Sequence, residues 1–191
     1  MRREVGVATY VILLCAVNVG GTGKLPMAEL RKLLERLGYT RVETYIQSGN
    51  AVVDAKGSAA KVTREIAAAL EQQMGAPVGV VVRSREEMER VMARNPFAAE
   101  AAADGARVHV AFLDAKAAAG AEDGLREIVT KNPARRDRFF LDRDVVYLHL
   151  PEGAAESKFT TKAMGRATGC TVTARNWNTV VKLALLAAGA R

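Results

Sequence analysis

The sequence predicts an α+β fold made of two successive halves, each running strand, helix, strand, strand, helix, strand. Three observations carry this. Short apolar runs alternate with stretches whose apolar residues recur every three or four positions. The same order of elements occurs twice along the 191 residues. Glycine, proline or serine marks most of the boundaries between elements.

In the first half, residues 8–15 (ATYVILLC) form an unbroken apolar run, the pattern of a strand in the centre of a sheet or buried on both faces. The glycine-rich segment NVGGTGK follows as a loop, and Pro26 suits a first helical turn. Met27, Leu30, Leu33, Leu34 and Leu37 then recur at helical spacing, with Gly38 as the stop. VETYIQ and NAVVDA are two short strands joined by a turn at Ser48-Gly49. Ser58 offers an N-cap to a helix whose buried face is Val62, Ile66, Leu70 and Met74, ended by Gly75. PVGVVVR is the fourth strand, and Ser84 caps the short helix REEMERVMAR.

The second half repeats the order. VHVAFL is a strand; residues 115–131 are a helix interrupted by Gly120 and Gly124; RFFLD and VVYLHL flank a tight hairpin at Arg143-Asp144. SKFTTKAMGRATG is a helix ended by Gly165 or Gly169, with Lys158 at its opening. CTVTA is the last strand, and a terminal helix follows with Asn176 at its N-cap. The expected organisation is therefore tandem ferredoxin-like α/β plaits. Residues 1–97 form one half, 98–106 a small-residue linker, and 107–191 the second half with its C-terminal helix.

Hydrophobic residues make up 49% and charged residues 26% of the chain, the composition of a soluble globular protein. No apolar run reaches the roughly 18 residues of a membrane helix, so no membrane partner is expected. Cys15 and Cys170 stand far apart and outside any metal-ligand spacing, which points to the cytoplasm, no metal and no cofactor. The net charge of +7 is concentrated in residues 131–191, where 11 basic groups face 5 acidic ones. That excess suits an anionic partner or plain solubility.

Three segments bring together residues able to bind a ligand. The first is Asn18 to Lys24, with Gly20 and Gly21 between them, a phosphate-cradle composition at a strand-to-helix connection. It is not a P-loop, since Asn18 stands where Gly is required and Leu25 where Ser or Thr is required. A tight connection explains it equally. The second is Gln47, Ser48 and Asn50, where turn chemistry accounts for all but Gln47. The third is Arg175, Asn176 and Asn178 around Trp177, before a helix whose first N–H groups lack partners. Lys158 adds a further cation. His109 and His149 lie on strands without a carboxylate at suggestive spacing. The set holds amides, hydroxyls and cations but no group that titrates near neutrality, so it is better suited to binding than to acid–base catalysis.

The segments VILLCAVNVGG, YIQSGN, NPF, SKFTTK and ARNWNTVVKL together resemble the bacterial family catalogued as domain of unknown function (DUF) 1697. The resemblance covers nearly the whole chain and implies paired α/β-plait subdomains, with no established activity. Cys15 and Ala16 stand where the family usually has Arg-Gly.

The function expected from the sequence is binding of a phosphate-bearing or other anionic small molecule where the NVGG, QSGN and RNWN segments converge. One alternative is an RNA or single-strand module using Phe139, Phe140 and Tyr147 with nearby arginines. Another is an enzyme using Ser48 with Lys158.

Overall fold

The computed structural model describes residues 6–18 and 24–189. The first sheet is built from β1 (Val7–Leu14), β2 (Thr40–Tyr45), β3 (Asn50–Lys56) and β4 (Val80–Ser84), with α1 (Met27–Arg36), α2 (Ala59–Met74), α3 (Arg85–Ala93) and α4 (Ala98–Ala103) interspersed or following. The second is built from β5 (Val108–Leu113), β6 (Arg138–Asp142), β7 (Val145–His149) and β8 (Val172–Asn176), with α5 (Ala121–Thr130), α6 (Thr161–Thr168) and α7 (Trp177–Ala187). The sheets have the orders β2-β3-β1-β4 and β6-β7-β5-β8, and every recorded strand pairing is antiparallel. This is the βαββαβ plait twice over, as the repeated pattern predicts.

The chain divides into two compact units, residues 1–90 with 182–191 and residues 91–181. In the first unit β1 is an inner strand. Tyr10, Ile12 and Leu14 join Leu30, Leu33, Leu34, Val62, Ile66 and Leu70 in a core between sheet and helices. The alternate residues Val11 and Leu13 are also buried, which is why the run is apolar without a break. In the second unit Ala111, Leu113, Val146 and Leu148 pack with Leu125, Ile128, Phe159 and Met164.

The two repeats share more than element order. Leu14 N donates to Gly49 O at 2.9 Å and Leu113 N to Asp144 O at 3.0 Å. Cys15 N donates to Gly79 O at 2.9 Å and Asp114 N to Thr171 O at 3.1 Å. Val11 pairs with Arg83, and Val110 with Arg175, so these two buried arginines occupy equivalent positions. A capping residue follows each. Ser84 Oγ accepts from Glu87 N while Glu87 Oε2 accepts from Ser84 N, a reciprocal capping box. Asn176 Oδ1 accepts from Thr179 N at 2.9 Å, the expected cap of α7.

Several local expectations change. Residues 98–103 are helical rather than a linker, with Ala101 buried. Helix α5 starts only at Ala121, after Gly120 at φ +79°, and runs through Gly124 without a break. A Cβ at Gly124 would lie 3.0 Å from Ala167 Cβ, so glycine there permits close packing of α5 on α6. Lys158 does not open a helix: α6 begins at Thr161, capped by Thr160, and ends at Gly169. In the first unit Arg41, at a β-bulge, pairs with Asp54 at 3.1 Å and donates to Leu186 O and Ala187 O, closing the C-terminal end of α7.

Candidate functional site

The end of β1 is the best-constructed polar site in the first unit. The last strand N–H groups are held on both sides by the bonds to Gly49 and Gly79. The chain then leaves the sheet with Ala16 at φ +53° and Asn18 at φ +57°. Asparagine tolerates that conformation because its short side chain can bond locally. Here Asn18 Oδ1 accepts from Leu25 N at 2.8 Å, and Asn18 Nδ2 donates to Leu25 O at 2.9 Å and to Gln47 O at 2.7 Å. One amide thus joins Asn18 to Leu25 and to the β2–β3 turn. Gly20 and Gly21 lie outside the described residues.

The turn itself is strained. Ile46 has φ +47° and is exposed, although a β-branched residue disfavours the left-handed region. Gly49 has φ +75°, and a Cβ there would meet Val17 Cγ2 at 2.4 Å. Asn50 is fully buried and its Nδ2 donates to Tyr45 O at 3.1 Å and to Ser48 Oγ at 2.8 Å, so its amide holds the turn from within. Gln47 lends its carbonyl to Asn18 and has an exposed side chain. Lys24 is exposed and makes no ion pair among the described residues. Two positions beyond it, Pro26 caps α1 without a side-chain hydrogen bond. Glu29 N and Leu30 N both donate to Pro26 O, which leaves Met27 and Ala28 as the first-turn N–H groups without such a bond among the described residues.

The remaining candidates belong to the second unit. Arg175 is 9% exposed and donates to Thr173 Oγ1 at 2.7 Å and to its neighbour Ala174 O at 2.8 Å. Asn176 is the helix cap. Asn178 lies against Gly105, where an added Cβ would come within 2.1 Å of its Oδ1. Lys158 is exposed. Ser48 and Lys158 fall in different units.

The base-stacking alternative needs an open aromatic sheet face. Tyr147 is 1% exposed and donates to Val91 O at 3.0 Å, and Phe112 is fully buried. Phe139 packs on Phe159, with ring centroids 5.9 Å apart. Phe140 alone of the three proposed stacking residues is exposed, so the sheet lacks a platform.

A polar network escaped the sequence reading. Asp137, in the basic run RRDR, is buried and accepts from Ser157 Oγ at 2.8 Å and from Arg135 Nε at 3.3 Å. Ser157 Oγ in turn accepts from Phe159 N, and Arg135 also donates to Gly153 O. The network pins the 150–160 loop. The surrounding arginines masked its one acid in the sequence.

Both histidines sit below their ordinary value of 6.5. Burial is the main cause at each, and at His149 the Arg138 charge adds to it. The unfolded chain therefore takes up protons near pH 6.5 while the folded chain still resists them. Stability is expected to fall as pH drops below about 6.5 and to hold above it. Urea midpoints measured from neutral to mildly acid pH check this. Replacing both histidines by Gln is expected to flatten the profile, and an unchanged slope would show that other groups control it.

The sequence model of the family described as "Protein of unknown function (DUF1697)" matches residues 7–147. The chain belongs to this family. No curated protein matches it. Among solved structures, the chain is similar to that of the conserved bacterial protein SP0830 from Streptococcus pneumoniae. The two share 21% identity and a TM-score of 0.69 over 95% of this chain and 99% of that one, a likeness of fold. Among the described residues, no helix is long and apolar enough to cross a membrane.

Membership of the DUF1697 family gives the strained position at Ala16 a physical meaning. The family resemblance places glycine there, and glycine adopts φ +53° without the Cβ penalty. Ala16→Gly is expected to stabilise the first unit by about 0.5–1 kcal/mol, the strain relieved less the added freedom of the unfolded chain. A thermal melt that falls rather than rises would show that Ala16 is relaxed. Cys15 is half-buried, and its backbone bond to Gly79 does not depend on its side chain.

Proposed function

We propose that this DUF1697 protein binds a phosphate-bearing or other anionic small molecule at the end of β1, around Asn18 and Lys24, the 46–49 turn and the start of α1. The observation that carries this reading is the Asn18 amide, which joins loop and turn by three hydrogen bonds while its own backbone is left-handed. Strained backbone persists where surrounding contacts over-determine it, and such places are enriched in binding sites. Lys24 supplies the charge, and Met27 and Ala28 at the start of α1 supply N–H donors. Arg175 and Asn178 are not needed, because the first bonds to its own strand and the second lies against Gly105. Cys15 and Cys170 form no disulfide, which fits a reducing compartment, the cytoplasm.

Calorimetric titration with ATP and with inorganic phosphate tests the reading. Lys24→Ala is expected to weaken binding by about 1.5–3 kcal/mol, the range for a charged hydrogen bond, with an unchanged melting temperature. Asn18→Ala is expected to weaken binding and lower the melting temperature together. Absence of saturable binding of either probe at millimolar concentration, or full affinity in Lys24→Ala, overturns the proposal.

A further inference from the structure

We propose that the second unit carries its own cleft for a small polyanion of the diphosphate kind, at the place equivalent to the end of β1, with Lys116 and Arg143 as its principal cations. The cleft has a volume of about 610 Å³ and is lined by Lys116, Ala118, Glu122, Asp123, Arg126 and Arg143 among others. It lies where the β5–α5 connection meets the β6–β7 hairpin, as the first-unit site lies where the β1–α1 connection meets the β2–β3 turn. Leu113 N to Asp144 O and Leu14 N to Gly49 O fix that equivalence.

The walls are held from behind. Ala117 N donates to Arg143 O at 3.1 Å, which sets the backbone of Lys116 beside that of Arg143, and Ala118 N donates to Thr168 O at 2.9 Å. Cys170 Sγ lies 3.5 Å from Ala115 O and 3.7 Å from Lys116 O. Arg143 sits at φ +60°, the left-handed turn position of the two-residue hairpin. The charges do not cancel. Arg126 pairs with Glu122 at 2.6 Å, which neutralises both. Lys116 and Arg143 have exposed side chains with no ion pair among the described residues, and they outnumber the remaining carboxylate, Asp123. Two unpaired cations across a strand-end cleft match a ligand with two adjacent anionic groups better than a single one. The inference does not depend on the first-unit site.

Titration of the full chain with inorganic pyrophosphate at low salt tests it. The double variant Lys116→Ala/Arg143→Ala is expected to lose roughly tenfold or more in affinity for this event. Its circular dichroism and melting temperature are expected to match the unsubstituted chain, since both side chains are exposed. In a Lys24→Ala background, which removes the first site's charge, the double variant is expected to show the same loss, which separates this cleft from the first. The single variant Lys116→Gln, which keeps length and polarity, gives the same direction should the double variant fold poorly. Equal pyrophosphate affinity in the unsubstituted chain and the Lys116 and Arg143 variants, or no saturable binding at millimolar concentration, overturns the proposal.

Discussion

Gly49→Ala is expected to destabilise the first unit by about 3 kcal/mol, adding roughly 1–2 kcal/mol for a left-handed non-glycine residue to 1–3 kcal/mol for overpacking. The Cβ would lie 2.4 Å from Val17 Cγ2 and 2.8 Å from Leu14 Cβ, both on buried residues that cannot swing into solvent. For a chain of this size the melting temperature should fall by roughly 6–12 °C. A double-mutant cycle separates the two causes. Val17→Ala removes the nearest atom, so in that background the cost of Gly49→Ala should shrink toward the conformational part alone. Gly49→Asn keeps the left-handed preference but not the space, and should remain severe. If Gly49→Ala melts within about 2 °C of the unsubstituted protein, no more than the smallest shift expected for 1 kcal/mol, the close approach of turn and strand is wrong.

Asp137→Ala should be at least as damaging, at about 3–5 kcal/mol, because it removes one member of a buried ion pair and leaves Arg135 only its bond to Gly153 O and the exposed Glu156 at 3.9 Å. The side chains of Arg135 and Asp137 are 9% and 7% exposed, so water does not replace the lost partner. Ser157 and the 150–160 loop lose their anchor at the same time. Replacing Arg135 and Asp137 together by leucine should recover much of the loss, since an apolar pair of similar volume leaves no stranded charge. Chemical denaturation of the three variants measures this. An Asp137→Ala variant as stable as the parent would mean that the network is solvated. A double variant no better than the single one would place the energy in the Ser157 bond instead.

Most of the fold is legible in the sequence because its signals are local. Val62, Ile66 and Leu70 mark a helix face by spacing alone, and ATYVILLC marks an inner strand by its lack of polar residues. The repeat of βαββαβ order then fixes the topology. Residues 98–103 were not legible: six small or acidic residues have no apolar periodicity, and the helix exists because its surroundings bury Ala101. The reading of Gly120 and Gly124 as interruptions failed for a related reason, since a glycine that starts a helix and one that admits a neighbouring helix look alike without tertiary contacts.

The site divides in the same way. Asn18, Gln47, Ser48 and Asn50 were selected by residue type, and the structure joins them through the Asn18 amide and the buried Asn50 amide. Arg175 was selected as a surface cation, yet it is buried on a strand. Its repeat partner Arg83 gives the one sequence signal that could have shown this. Each arginine is followed directly by the residue that caps the next helix, Ser84 and Asn176, a register visible only when the two repeats are aligned. Lys116 was hidden inside an alanine-rich segment assigned to a helix, which the chain instead uses as the wall of a cleft.

The grouping of residues 182–191 with the first unit has a consequence for how the protein is made. A ribosome releases β1 to β4 early, but the carbonyls of Leu186 and Ala187 that Arg41 binds emerge only after the whole second unit. At about 5–20 residues per second, the first unit waits on the order of 5–20 s with Arg41 lacking those acceptors. The nascent first unit should therefore be more sensitive to protease than the finished one, and stalled chains ending near residue 100 should gain protection when a peptide carrying residues 177–189 is supplied in trans.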